Sequence, residues 1–411
     1  MYSRVNGWVR DKIFDFDFLL GLRALACFAV IFLHMYYSLF NQPKELLKQY
    51  PNILSFLLAD GTSAVLLFFT LSGYLMFKIF DLNNYTFNLA GLTKFYVGRI
   101  KRIVPLYIFV LVVGILFVDT TLLKPNNWQQ LSELFTFRQY FSGPKDIIYE
   151  KHQWFSVAWS LVVEMQYYLV APLIAFILYK VRNIWVNLVL FGVANYFIYI
   201  KYYEDLVINN SSTLMLKNIS CYFFYFLSGA ILINLIHNRL INKVLSNLYV
   251  FLPFLVLAIF YLPIWVGQNP NIYLVIEYSK HLRIIVHLLF LTSIGIFESM
   301  YYYMRPAKMD TQNILSNFKN WKKSLEFFGH LSYGMYLWHL LIIFQLNNII
   351  QKEDLKYLNI SELRYVFIAG FVIIAISTII SLFTYLNIEL YWLKKKPKSN
   401  AKLVANPLNL G

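Results

Sequence analysis

Long apolar runs dominate the chain and recur at the length a lipid bilayer demands. A helix rising 1.5 Å per residue needs about 20 apolar residues to cross a hydrocarbon core of roughly 30 Å. Runs of that kind lie near 19–40, 62–80, 103–119, 157–179, 184–200, 219–236, 244–266, 284–303, 327–350 and 366–388. Backbone groups in lipid find no water to bond, so each run is read as a helix with its hydrogen bonds closed internally. The two-residue alternation of a membrane barrel strand is absent. The pattern predicts an all-α fold, a polytopic membrane helix bundle of about ten transmembrane helices.

The first run starts near Phe18, exceeds the length of a signal-peptide core, and contains Arg23 and His34. It is read as a retained span that also directs membrane insertion. The segments between runs are short. The longest, 120–156, contains Trp128, Trp154 and a Ser-Gly-Pro turn at 142–144. No internal repeat and no linker to a second soluble unit stands out. Residues 1–393 are read as one transmembrane domain and 394–411 as a basic cytoplasmic tail.

Charge then orients the bundle. With the N-terminus in the cytoplasm, inside segments hold 21 Lys and Arg and outside loops hold 13. This inside excess predicts that both termini are cytoplasmic. It also explains the formal charge of +15. The run at 394–402 is therefore a topological anchor, and no nucleic-acid partner is expected. Composition agrees. The chain is 59% hydrophobic and 14% charged, with a mean hydropathy of +0.55. A soluble domain is about a quarter charged, so the lipid bilayer is the first expected partner. Cys27 and Cys221 fall inside apolar runs and read as packing residues, not as a disulfide or metal framework. No histidine pair has zinc-site spacing, and no Walker or dinucleotide glycine motif occurs. No metal and no permanently bound cofactor is expected.

Ionisable side chains inside spans cost several kcal/mol on insertion scales and mark functional candidates. Arg23 and His34 are eleven residues apart, hence on one helix face and about 16 Å apart along the axis. The plain structural alternative is a snorkelling arginine and a histidine bonded to a carbonyl. Arg99 and Arg102 share a face at the cytoplasmic entrance. They either hold phosphate groups or simply flank a span, and Pro105 suits the first turn of that span. Ser160, Glu164 and Tyr168 line one stripe of the fourth run, where Glu164 would lie roughly 10 Å below the outer surface. Its carboxylate can hold a histidine in one tautomer and stabilise its charged form. Ser72-Gly73 permits close helix approach, and packing is the simpler account of that pair. Ser332, Tyr336 and His339 share a face of the ninth run. His339 either joins His34 in one cavity or is a bonded packing residue. Of the other histidines, His152 precedes the Glu164 run, His237 and His281 lie in loops, and His287 and His330 lie near span ends.

The sequence resembles the acyltransferase 3 family of bacterial integral-membrane O-acyltransferases. The resemblance is carried by Arg23-x10-His34, Phe68-Phe-x-x-Ser72-Gly73-Tyr74, Arg99-x-x-Arg102 with Pro105, Trp159-Ser160-x3-Glu164-x3-Tyr168, and Ser332-Tyr333-Gly-Met-Tyr336-Leu-Trp-His339. These motifs keep the family's order and cover nearly the whole chain. The resemblance implies a multi-pass protein of the bacterial cytoplasmic (inner) membrane. It implies transfer of an acyl group, usually acetyl, from an acyl-CoA donor such as acetyl-CoA to a hydroxyl of a glycan acceptor. The acceptor stays open among O-antigen, exopolysaccharide, peptidoglycan, a small glycoside and an antibiotic. Carried over, His34 would be the base or an acyl relay, Arg23 its partner, Glu164 a support of the reaction centre, and Arg99 and Arg102 the donor-binding pair. Ser72, Ser160, Tyr168, Tyr336 and His339 would line the cavity. Where the family often has proline two residues after an acid, this chain has Tyr391 after Glu389, which leaves the role of Glu389 open. The chain stops about 20 residues past its last span, so the extra C-terminal esterase-like domain of some relatives is not expected. A different class of function, a transporter or flippase of a lipid-linked glycan, also uses intramembrane charges. It predicts repeated halves with interrupted helices, and none stand out.

Overall fold

The computed structural model describes residues 17–40, 61–138 apart from 83, 153–183, parts of 185–196, 219–238, 321–349 and 362–394. Every element among them is helical. In chain order they are α1 (Phe18–Phe40), α2 (Gly61–Asp81), α3 (Leu89–Phe117), two short 3-10 turns, α4 (Trp128–Phe135), a 3-10 turn at Gln153–Phe155, α5 (Ala158–Lys180), α6 (Ile219–His237), α7 (Trp321–Ile349), α8 (Glu362–Thr384), a π-helical turn at Tyr385–Glu389, and α9 (Leu390–Lys394).

Six of the described helices are long and apolar enough to cross a membrane: α1, α2, α3, α5, α7, and α8 continued through its π turn. They coincide with six of the expected spans, and α6 with a seventh. The runs at 244–266 and 284–303, most of 184–200, His152, His281, His287 and the tail beyond Lys394 lie outside the described residues.

One expected element changes. The third span was expected to begin at 103, but α3 begins at Leu89. Lys94, Arg99, Lys101 and Arg102 dilute the hydropathy of its first half, while the backbone stays helical. Asn88 caps it, its side-chain oxygen accepting the Gly91 amide at 2.8 Å, which satisfies one of the donors a helix start leaves open. Pro105 therefore lies inside α3 and not in its first turn. Arg99 and Arg102 lie within this helix.

The bundle packs α1 against α7, α2 against α6, and α7 against α8, with α1, α2 and α5 joining them. Small residues set the closest approaches. A Cβ at Gly73 would overlap the Phe226 carbonyl, and one at Gly229 would overlap the Thr70 carbonyl. The α2–α6 contact is thus a mutual glycine seam, the geometry by which helices meet closely in lipid. Gly329 likewise gives α7 its approach to the Leu20 carbonyl of α1. Outward faces stay apolar: Leu169 and Leu173 on α5, Phe371 and Ile379 on α8, and Leu116 on α3 are all exposed. A belt of that size on an unaided soluble surface would aggregate. It is the surface a membrane covers.

Candidate active site

Two polar groups form inside the bundle, and α1 joins them. At one end is Arg23, half-buried, with its Nε enclosed and without a hydrogen-bond partner among the described residues. It lies within electrostatic range of Arg99, Arg102, Glu164 and Tyr168. The Arg99 guanidinium sits 5.9 Å from the centre of the Tyr168 ring and 5.8 Å from that of Phe95. These aromatic faces attract a cation electrostatically, and the Arg99 Nε has no hydrogen-bond partner among the described residues. Arg23 of α1 thus lies in range of one carboxylate, Glu164, and of the two arginines of α3.

Oε1 of Glu164 accepts a hydrogen bond from the Tyr168 hydroxyl at 2.6 Å and a short one from the Ser72 hydroxyl. Tyr168 reaches it because residues i and i+4 stack on one helix face. Ser72 reaches it because the glycine seam draws α2 into the bundle. The Ser72-Gly73 pair therefore does two things: glycine admits α6, and serine binds the carboxylate. From the sequence alone, packing is the simpler account of this pair.

A second carboxylate enters the same region. Glu389 is 3% exposed, and both of its oxygens lack a partner among the described residues. Arg102 and Arg23 lie within its electrostatic range. It stands at the end of the π-helical turn, which packs on α3. One extra residue in a helical turn shifts the direction of the residues after it, and such turns recur at functional sites. The acid just past the last apolar run is visible in the sequence; the π turn that carries it to the arginines is not. His330 of α7 also lies here, within electrostatic range of Asp17, Arg102 and Arg23.

At the other end of the α1 face is His34. Its Nδ1 lies 3.0 Å from the Val30 carbonyl and 3.2 Å from Nε2 of His339. His339 is fully buried, and its own Nδ1 lies 3.3 Å from the Met335 carbonyl. The sequence left open whether His339 shares the cavity of His34. The two rings meet, with centroids 5.1 Å apart. Glu164 does not serve as the expected anchor of the histidine. Its described partners are Ser72 and Tyr168, and the place beside His34 belongs to His339.

The Glu164 stripe and the His339 helix are tied directly. Ser160 and Tyr336 share a hydrogen bond at 2.7 Å, and both also bond the Val157 carbonyl, at 3.1 and 3.2 Å. Tyr333, which the sequence reading quoted only as part of a motif, donates to the Ile103 carbonyl of α3 at 2.7 Å, next to Arg102. Every sequence-selected site residue is thus in the described bundle. The resulting arrangement combines fixed positive charge at one end with two touching imidazoles, one of them fully buried, at the other. The first suits a polyanionic group, and the second suits proton transfer.

The sequence matches a family model described as an acyltransferase domain, acyltransferase 3, over residues 16–382. The chain belongs to this family. The match starts just before α1 and ends within α8, so this acyltransferase domain includes every element described above except the π turn and α9. Curated relatives include the protein named O-acetyltransferase OatA of Staphylococcus aureus, in strains NCTC 8325 / PS 47, COL and MRSA252. Each is 30% identical over 195 residues, which cover 42% of this chain and 28% of the relative. The matched segment is therefore less than a third of those relatives' own length. No solved structure matches the chain.

Proposed function

We propose that this membrane acyltransferase moves an acyl group, acetyl in the first instance, from acyl-CoA to a hydroxyl of a cell-surface glycan. The bundle would lie in the bacterial cytoplasmic membrane with ten spans and both termini inside. The observation that carries this reading is the single face of α1. It links Arg23, which lies in range of Arg99, Arg102 and Glu164, to a histidine pair about 16 Å further along the helix, a distance on the scale of an extended pantetheine arm.

In this reading the diphosphate and ribose phosphate of the donor meet Arg99 and Arg102, for which a planar guanidinium fork is well suited. The pantetheine arm runs along α1 past Arg23 and presents the thioester at His34. A sugar hydroxyl is a poor nucleophile at neutral pH. His34 takes its proton as the oxygen attacks the thioester carbonyl, a contribution of roughly 10²–10⁴-fold. The tetrahedral intermediate collapses, the carbon–sulfur bond breaks, and the imidazolium returns the proton to the departing thiolate. The products are the ester and coenzyme A with its free thiol. Support also comes from the relatives named O-acetyltransferase, which are 30% identical to this chain over 195 residues.

The test is mass spectrometry of cell-envelope glycans from otherwise identical cells with and without the protein. The expected result is a glycan species heavier by one acyl group only when the protein is present. Identical glycan spectra, with the protein verified in the membrane, would overturn the assignment.

A further inference from the structure

The histidine pair carries more information than proximity. Three contacts converge on it. Nδ1 of His34 faces the Val30 carbonyl at 3.0 Å, Nδ1 of His339 faces the Met335 carbonyl at 3.3 Å, and Nε2 of His339 faces Nδ1 of His34 at 3.2 Å. A carbonyl oxygen only accepts. Each neutral imidazole has one hydrogen and one lone pair to distribute between its two nitrogens.

Consider the two possible assignments. If His339 carries its hydrogen on Nδ1, it donates to Met335, and its Nε2 presents a lone pair to His34. Nδ1 of His34 must then carry the hydrogen, which it shares between the Val30 carbonyl and His339. All three contacts are attractive. If His339 instead carries its hydrogen on Nε2, it donates to a lone pair on Nδ1 of His34. That choice sets two nitrogen lone pairs against two carbonyl oxygens at 3.0 and 3.3 Å. One attractive contact is then kept and two become repulsive.

We propose that His339 is a positioning residue that holds neutral His34 as its Nδ1–H tautomer, leaving the lone pair on His34 Nε2 to receive the acceptor's proton. The inference rests on the acyl-transfer reading for what that lone pair does, but the tautomer itself follows from the contacts. Among the described residues both hydrogen bonds of His34 are made by Nδ1, so Nε2 is free to face a substrate. The part played elsewhere by a carboxylate behind a catalytic histidine falls here to a neutral ring. When His34 takes up a proton at Nε2, its Nδ1–H still has the His339 lone pair and the Val30 carbonyl to donate to. The α1–α7 packing holds the two rings together, with Gly329 admitting the close approach and Tyr336 lying 5.8 Å from the His339 ring centre.

The experiment is solid-state NMR of the full-length protein in lipid bilayers, with histidine labelled in 13C and 15N and His34 assigned by loss of its signals in H34N. Ring carbon and nitrogen shifts distinguish the two tautomers. The expected wild-type result is neutral His34 protonated at Nδ1. In H339L, which keeps bulk but lacks an acceptor, the Nδ1–H form loses its dominance and kcat for acetyl transfer falls at least about tenfold, with KM for acetyl-CoA unchanged. H339Q, whose amide oxygen can accept from His34, keeps the wild-type tautomer and recovers most of the rate lost in H339L. A wild-type His34 protonated at Nε2 would overturn the proposal. So would an unchanged tautomer in H339L, or an H339Q protein as slow as H339L. Should H339L fail to fold, the wild-type spectrum and H339Q still decide. Should H34A retain full transfer, the acyl-transfer reading fails while the tautomer result stands separately.

Discussion

The hydroxyls of Ser160 and Tyr336 meet at 2.7 Å and join the helix of Glu164 to the helix of His339. Both atoms are buried, and the Val157 carbonyl completes the group. The charged end of the site and the histidine end are therefore not independent. A shift of α5 moves α7, and with it the ring behind His34. Y336F should lower stability by about 1 kcal/mol, the usual net contribution of one such bond. It should also lower kcat more than it raises KM for acyl-CoA. Thermal unfolding in detergent and steady-state kinetics check both. An unchanged kcat would separate the two ends.

Glu164 accepts two hydroxyls and lies within electrostatic range of Arg23. E164A strands the Tyr168 and Ser72 hydroxyls, at a cost of about 1–3 kcal/mol for each buried group left unpaired. E164Q keeps an acceptor for both and removes only the charge. E164Q should therefore unfold near the wild-type temperature but transfer acyl groups at least about tenfold more slowly, reflecting the lost charge interaction. E164A should lose both properties. Equal thermal loss in the two variants would contradict the contacts assigned to the carboxylate.

Arg99 and Arg102 are assigned to the phosphates of the donor. R102A should raise KM for acyl-CoA by about tenfold or more, the cost of one charge-assisted contact, with a smaller change in kcat. R102K should restore little, because an ammonium does not reproduce the planar fork. Titration of purified protein with coenzyme A, read by thermal shift, provides the check. Unaltered coenzyme A binding in R102A would remove this helix from the donor site.

Glu389 is the opposite case. Its carboxylate is enclosed without a hydrogen-bond partner among the described residues and lies within electrostatic range of Arg102 and Arg23, where in the proposed reading it would compete with the donor. Removing a buried charge that lacks hydrogen bonds costs nothing in contacts. E389Q should be at least as stable as wild type and should bind acyl-CoA a few-fold more tightly, because a negative charge leaves a phosphate-binding region. Weaker donor binding in E389Q would show that the carboxylate helps the donor.

The glycine seam tests the fold itself. G229A places a Cβ on the Thr70 carbonyl, and backbone cannot yield as a side-chain tip can. A loss of about 1–3 kcal/mol is expected from overpacking, read as a lower unfolding temperature and reduced yield in the membrane fraction.

The sequence announced much of this. Apolar runs of bilayer length gave α1, α2, α5, α7 and α8 closely, because hydropathy is the constraint lipid imposes. It missed the first half of α3, where four basic residues hide a helix from a hydropathy window. Eleven-residue and four-residue spacings put Arg23 with His34 and Glu164 with Tyr168 on shared faces, since those relations are local. What spacing does not contain is which helices touch. The meeting of His34 with His339, of Ser72 with Glu164, and of Gly229 with Thr70 spans distant parts of the chain. The π turn that brings in Glu389 is a backbone irregularity with no residue-type signature.

The central claim is that His34 moves the proton in an acyl transfer. It is tested by reconstituting wild-type protein and H34A in liposomes and measuring incorporation of labelled acetyl from acetyl-CoA into a glycan acceptor. Transfer should fall by roughly 10²-fold or more in H34A, while the protein keeps its unfolding temperature response to coenzyme A. Undiminished acetylation by H34A would contradict the account.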